Sequence, residues 1–157
     1  MGKVASMKLV SQHTVISILV KDQEEALRFY TEKLGLEKRS DHTFGPGLRL
    51  LTVAPTGQQK PEIALAKPDV SWHGEERVRE LMTHIGQGAP WLFVTDDCRK
   101  EYEMLLARGV TFVSAPTHHL YGVEAVFVDL YGNTFSLLEA SPEVRSMFEN
   151  HSIGTAA

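Results

Sequence analysis

A single cysteine, Cys98, in 157 residues excludes an internal disulfide. With no apolar leader before the first strand-like run, a reducing cytoplasm is the simplest expected compartment. No run reaches the roughly 18 apolar residues that a membrane helix needs, and the longest candidate, Val15 to Val20, already contains Ser17, so a helical membrane span is excluded. There is no Lys/Arg block. Sixteen basic residues are scattered among 20 acidic ones for a formal charge of -4, which leaves no electrostatic footprint for nucleic acid. A Ser-His-Asp order, a P-loop and a Rossmann glycine signature are all missing. What is present, 43% hydrophobic and 23% charged residues, is the composition of a globular protein of one or two small packed units.

The pattern along the chain repeats. Val15, Ile16, Ile18, Leu19 and Val20 form a short β-branched and aliphatic run that reads as a strand. Asp22 then offers a helix N-cap with Glu25 three residues on, and Ala26, Phe29, Tyr30 and Leu34 recur at helical spacing up to Gly35. Leu48–Val53 and Pro61–Ala66 are further strand candidates between turn formers, with room for another around Glu37–Asp41. The same order returns after Gly88. Trp91–Thr95 is apolar, Asp96-Asp97 offers a cap, Tyr102, Leu105 and Leu106 mark a helix ending at Gly109, and strands follow at Val110–Val113, Val123–Val128 and Thr134–Leu138, the last two joined through Tyr131-Gly132-Asn133. The offset is 75 between the caps and 74 between the glycines (97 - 22 and 109 - 35), so one indel separates two copies of one plan. Val78, Leu81, Met82 and Ile85 predict a short amphipathic helix in the connector, with Gly86 as its C-cap. Ser141-Pro142 opens a last short helix with Val144, Met147 and Phe148 on its stripe.

The segments VKDQEEALRFYTEKLGLE, GPGLRLLTVAP, TDDCRKEYEMLLARGV and PTHHLYGVEAVFVDLYGNTFSLLEAS resemble the vicinal oxygen chelate superfamily, which includes glyoxalase I, bleomycin-resistance proteins and extradiol dioxygenases. The resemblance implies an α+β fold: two βαβββ modules whose mixed sheets curl into a half-barrel around a cavity, commonly in a homodimer. The expected divisions are a first module at 10–67, a connector at 68–87, a second module at 88–141 and a C-terminal helix and tail at 142–157. Metal-dependent members place one ligand on each of four strands, and the matching positions here are Val15, Ala64, Pro90 and Ser136. Val, Ala and Pro have no side-chain donor, and a serine hydroxyl is a poor one for a divalent ion. The usual metal centre is therefore expected to be missing, with no cofactor and no catalytic residue assigned.

Strand alternation predicts what the cavity contains, because residues two apart share a face. His13, Val15, Ser17 and Leu19 fall together, as do Glu62, Ala64 and Ala66, while Leu92 and Val94 join Pro90, and Thr134 and Leu138 join Ser136. Phe135, Leu137, Ile63 and Leu65 are expected beneath the helices. The predicted lining is mainly apolar with a few polar points, the usual composition of a small-molecule site. His13 reads as a slipped ligand, a hydrogen bonder at the cavity mouth or an ordinary strand-start histidine. Glu62 meets a cationic ligand or is solvated. His118 and His119, followed by Tyr121, resemble the family's loop at the cavity entrance, although adjacent strand residues point oppositely, so at most one of the two histidines faces inward; Glu124 reads as a base, an amine partner or a solvated carboxylate. Trp72 and His73 either close over a planar ligand or cover a dimer seam. Cys98, in the first turn of the second helix, is either activated by the helix terminus or packed and inert.

The leading expectation is a metal-free protein that binds a small, partly apolar organic molecule, as in the sequestration of a drug or toxin. The second is a metal-dependent lyase or dioxygenase with an unconventional centre drawn from His13, His118 or His119, Glu62 and Glu124. The third is an interaction module with a filled cavity.

Overall fold

The computed structural model describes residues 15–58, 61–88 and 90–147, apart from the side chain of Trp72. The chain divides into two compact units, the first ending at Met82 and the second beginning at Thr83.

In the first unit β1 (Val15–Leu19) leads to α1 (Gln23–Arg28), then β2 (Glu37–Phe44), β3 (Leu48–Ala54) and β4 (Glu62–Ala66). The sheet order is β1-β4-β3-β2. β1 runs parallel to β4, with Ser17 opposite Ala64, and the other pairings are antiparallel. The Asp22 carboxylate accepts the Glu25 backbone N–H at 3.0 Å, so the N-cap read from the sequence starts α1. The helix does not run evenly to Gly35: Phe29–Lys33 form a π-helical turn, with Leu34 N–H donating to Phe29 carbonyl at 3.2 Å. This wider turn keeps Phe29 and Tyr30 buried, their rings edge to face at 5.4 Å. Ile18, Leu51, Val53 and Leu65 are likewise buried in this unit. The Gln23 side-chain amide donates to the carbonyls of Arg49 (3.0 Å) and Leu65 (2.9 Å), tying the start of α1 to β3 and β4. A four-residue helix, α2 (Val70–His73), is capped by Asp69 and was not foreseen. It is followed by α3 (Glu75–His84), the predicted connector helix, which crosses the boundary between the units.

The second unit repeats the plan with β5 (Trp91–Val94), α4 (Cys98–Ala107), β6 (Thr111–His119), β7 (Gly122–Val128) and β8 (Thr134–Ala140), in the order β5-β8-β7-β6. Asp97 accepts the Lys100 N–H at 3.1 Å, as Asp22 does in the first copy. Both sheets are mixed, four-stranded and open, which makes the protein α+β with two matching modules. β6 extends well past the predicted Val113. Its register breaks between Phe112 and Ser114 and again between Ser114 and Thr117, the second break containing Pro116, a residue that an edge strand accommodates at a bulge. The core stacks Phe93, Phe127 and Phe135 at centroid distances of 5.2–6.5 Å. Ile63, Leu65, Phe135 and Leu137, expected beneath the helices, are buried, but so are Ala64 and Leu138 from the opposite set.

The turn at Asp129–Asn133 is organised by one carboxylate. Asp129 accepts from the backbone of Tyr131 (2.8 Å) and Asn133 (2.9 Å) and from the Asn133 amide (2.7 Å). Asn133 in turn accepts the Gly86 N–H at 3.1 Å, which fastens the end of α3 to this turn. Gly86 has φ +79° and a Cβ there would stand 2.3 Å from the Tyr131 carbonyl oxygen, so the position admits only glycine. Residues 142–147 are helical, as Ser141-Pro142 predicts; Phe148 lies outside the described residues. No helix among the described residues is long and apolar enough to cross a membrane.

Candidate functional site

Four of the residues predicted by alternation, Val15, Ser17, Ala64 and Ala66, come together in a cavity of about 640 Å³ in the first unit. Parallel pairing places Ser17 beside Ala64 in register, and their small side chains leave the middle of this sheet face hollow. Leu48, Leu50 and Phe44 supply its far wall, for the same reason of alternation: Leu48 and Leu50 lie two apart on β3, and Phe44 pairs with Leu48 across the hairpin. Phe44, Leu50 and Val15 are large apolar side chains left exposed, at 55%, 41% and 46%, and their clustering about one hollow is what a ligand site requires.

The rim is basic. Arg49, Lys67 and His73 line the cavity, and among the described residues no acidic one does. Arg49 is gripped from behind: its Nε and Nη2 donate to Asp41 at 2.7 and 2.8 Å, and its Nη1 donates to Glu24 at 2.7 Å. The bonded guanidinium holds the Asp41 carboxyl down at about 2, and raises the Arg49 pKa in return. Lys67 follows Ala66, whose carbonyl accepts the Val20 N–H at 2.9 Å, and precedes Pro68, so its backbone is fixed on both sides. His73 closes α2, its Nδ1 accepting the Asp69 N–H at 3.3 Å. None of Arg49, Lys67, Phe44, Leu48 and Leu50 was picked out from the sequence. Leu48 and Leu50 carried a usable signal in their alternation, whereas the bases on the rim are brought there by pairing and by the unforeseen α2.

Glu62 shares the face of Ala64 but does not line the cavity. It accepts from Thr52 Oγ1 at 2.5 Å and Ser40 Oγ at 3.4 Å, which places it in a polar strip at one end of the sheet. His13 lies outside the described residues.

In the second unit Leu92 and Ser136 pair in register, with Leu92 exposed and Ser136 half-buried. His119, Tyr121 and Glu124 assemble at the β6–β7 hairpin. The His119 and Tyr121 rings stack at 4.8 Å, Tyr121 Oη donates to Glu124 at 2.7 Å, and His119 Nε2 stands 3.9 Å from the same carboxylate. That hydrogen bond, then burial and the Glu124 charge, push the Tyr121 pKa up. His118 pairs with Val123 and is exposed, taking no part in this group.

The four positions that the resemblance assigns to metal ligands carry Val15, Ala64, Pro90 and Ser136, none of which has a side chain suited to a divalent ion. Among the described residues no group of three or more His, Cys, Asp or Glu is placed to hold one. Cys98 is fully buried, and burial, then the Glu139 charge, raise its pKa, so it is packed and is not an activated thiol.

The family model of the Glyoxalase/Bleomycin resistance protein/Dioxygenase superfamily matches residues 11–137. The uncharacterized protein YurT of Bacillus subtilis (strain 168) is 36% identical over 134 residues, which span 85% of this chain and 99% of YurT. Among solved structures, UcmS2 is 38% identical with a TM-score of 0.75, covering 84% of this chain and 100% of UcmS2. TnmS3, an antibiotic binding protein from Streptomyces sp. CB03234, is 28% identical with a TM-score of 0.68, covering 86% of this chain and 100% of TnmS3.

Proposed function

The chain belongs to the glyoxalase/bleomycin resistance protein/dioxygenase superfamily, and from that premise we propose that it binds a small, partly apolar organic molecule in the cavity of its first unit, without a metal, and holds it unchanged. The observation that carries this reading is the cavity itself: about 640 Å³, walled by Val15, Leu48, Leu50 and Phe44, and holding Val15 and Ala64 at two of the positions where the resemblance to metal-dependent relatives calls for donor side chains. A volume of that size suits one drug-sized molecule. The similarity to TnmS3, an antibiotic binding protein, supports sequestration of a toxic compound as the role. With no donor set for a Lewis acid among the described residues, this reading puts the binding energy into holding the guest.

The test uses N-phenyl-1-naphthylamine, a neutral apolar fluorophore. Titration should give saturable binding of one probe per chain, lost in Ser17→Trp, whose indole fills the hollow; Val15→Trp is a second filling variant on the same edge strand. The probe should be recovered unaltered, and elemental analysis of protein purified without chelator should find no stoichiometric metal. Stoichiometric zinc, iron, nickel or manganese, or binding indifferent to both tryptophan substitutions, would overturn the reading. We further propose that the protein works in the cytoplasm as a homodimer, for which light scattering should give twice the 17.5 kDa chain mass.

A further inference from the structure

We propose that the guest is an apolar organic acid, with a hydrophobic body against Leu48, Leu50 and Phe44 and one anionic group, such as a carboxylate or sulfonate, drawn to Lys67 on the rim. This inference rests on the binding reading above and specifies its ligand class. The chain as a whole is acidic, 20 acidic residues against 16 basic, yet the described residues lining the cavity include three basic side chains and no acidic one. A binding wall that departs in sign from the rest of its molecule is an electrostatic preference built into the site.

The three bases do not contribute equally. Arg49 has Nε, Nη1 and Nη2 bonded to Asp41 and Glu24, so its charge is matched by two carboxylates and its edge is occupied. What it offers the cavity is the stem and the flat of a fixed guanidinium, a surface for an apolar or aromatic body. His73 has its Nδ1 on the Asp69 backbone and closes the rim as an anchored ring. Lys67 differs from both: among the described residues no carboxylate lies within ion-pair distance of it. Its ammonium is exposed at the rim and, among the described residues, uncompensated, beside an apolar wall that an anionic guest would also touch. A cationic guest meets repulsion from the same group, and a neutral one gains nothing from it.

The experiment compares two probes of one skeleton in the full chain: 8-anilinonaphthalene-1-sulfonate, an anion, and N-phenyl-1-naphthylamine, which lacks the sulfonate. Lys67→Met keeps the apolar stem and removes the charge. We expect it to weaken the sulfonate probe about three- to fivefold, the yield of one partly exposed ion pair, while the neutral probe binds as before. Lys67→Glu should widen the gap, and added salt should narrow it in the unmodified protein. If both probes bind and are blocked by Ser17→Trp, but Lys67→Met leaves their affinity ratio within twofold of its original value, the preference for an anion is refuted and the cavity stands. If neither probe binds, or the tryptophan changes neither, the binding reading fails and takes this one with it.

Discussion

Replacing Asp41 by Asn tests whether the clasp behind the cavity wall is as strong as its geometry implies. The substitution keeps the shape and removes the charge from the group that accepts two hydrogen bonds from Arg49, at 2.7 and 2.8 Å. The two side chains are 27% and 20% exposed, between the freely solvated pairs that yield under about 1 kcal/mol and the buried pairs whose disruption costs about 3–5 kcal/mol. The fall of the Asp41 pKa from 3.8 to about 2 corresponds to roughly 2.4 kcal/mol at full value. Discounted for solvent screening, about 1–2 kcal/mol is expected for Asp41→Asn at pH 7. The sign of the pH dependence is fixed: a carboxyl whose pKa is depressed by folding stabilises above its unfolded value and loses that contribution as pH falls through its folded one. Urea unfolding of both proteins should therefore show the full difference at pH 7 and about half of it at pH 3. A difference below about 0.3 kcal/mol at pH 7, or one that is the same at pH 3, would refute the account of Arg49 as a residue held by charge.

Two further outcomes follow from other contacts. Gly86→Ala forces a Cβ against the Tyr131 carbonyl at a φ of +79°, and should destabilise the second unit by about 3 kcal/mol or more, read as a lowered midpoint in urea. Cys98, fully buried with a raised pKa, should resist a thiol-specific disulfide reagent at pH 8 in the native protein and react promptly in denaturant; fast native labelling would show that the helix is open there.

Much of the architecture was legible because it is written locally. Asp22 and Asp97 each precede a helical stripe, and both carboxylates accept the backbone N–H three residues on. Gly35 and Gly109, read as the ends of the two helices, have φ of +76° and +86°, the left-handed conformation that glycine adopts readily just past a helix. Alternation likewise put Val15, Ser17 and Ala64 on one side, because a strand has a period of two wherever it occurs. The π-helical turn at Phe29–Lys33 left no trace, since apolar spacing over five residues does not distinguish it from an ordinary turn. Two of the three bases on the rim were hidden for a different reason. Arg49 and Lys67 are 18 positions apart in sequence (67 - 49), and only the pairing of β3 with β4, together with the turn into α2, puts them at one opening. His119, Tyr121 and Glu124 lay in one short segment, but their mutual stacking and bonding depend on the hairpin's tight reversal.

The amide of Gln23 has a consequence for how a guest is met. By donating to the carbonyls of Arg49 and Leu65, it stitches a helix to both strands that flank the hollow, next to the Glu24 carboxylate that also holds Arg49. The spacing of those strands cannot widen without breaking two hydrogen bonds and shifting the whole helix. Such a seat selects by size and outline, because it has little freedom to remould itself around a misfit. The entropy of shaping it is lost once, as the chain folds, and not again with each arrival.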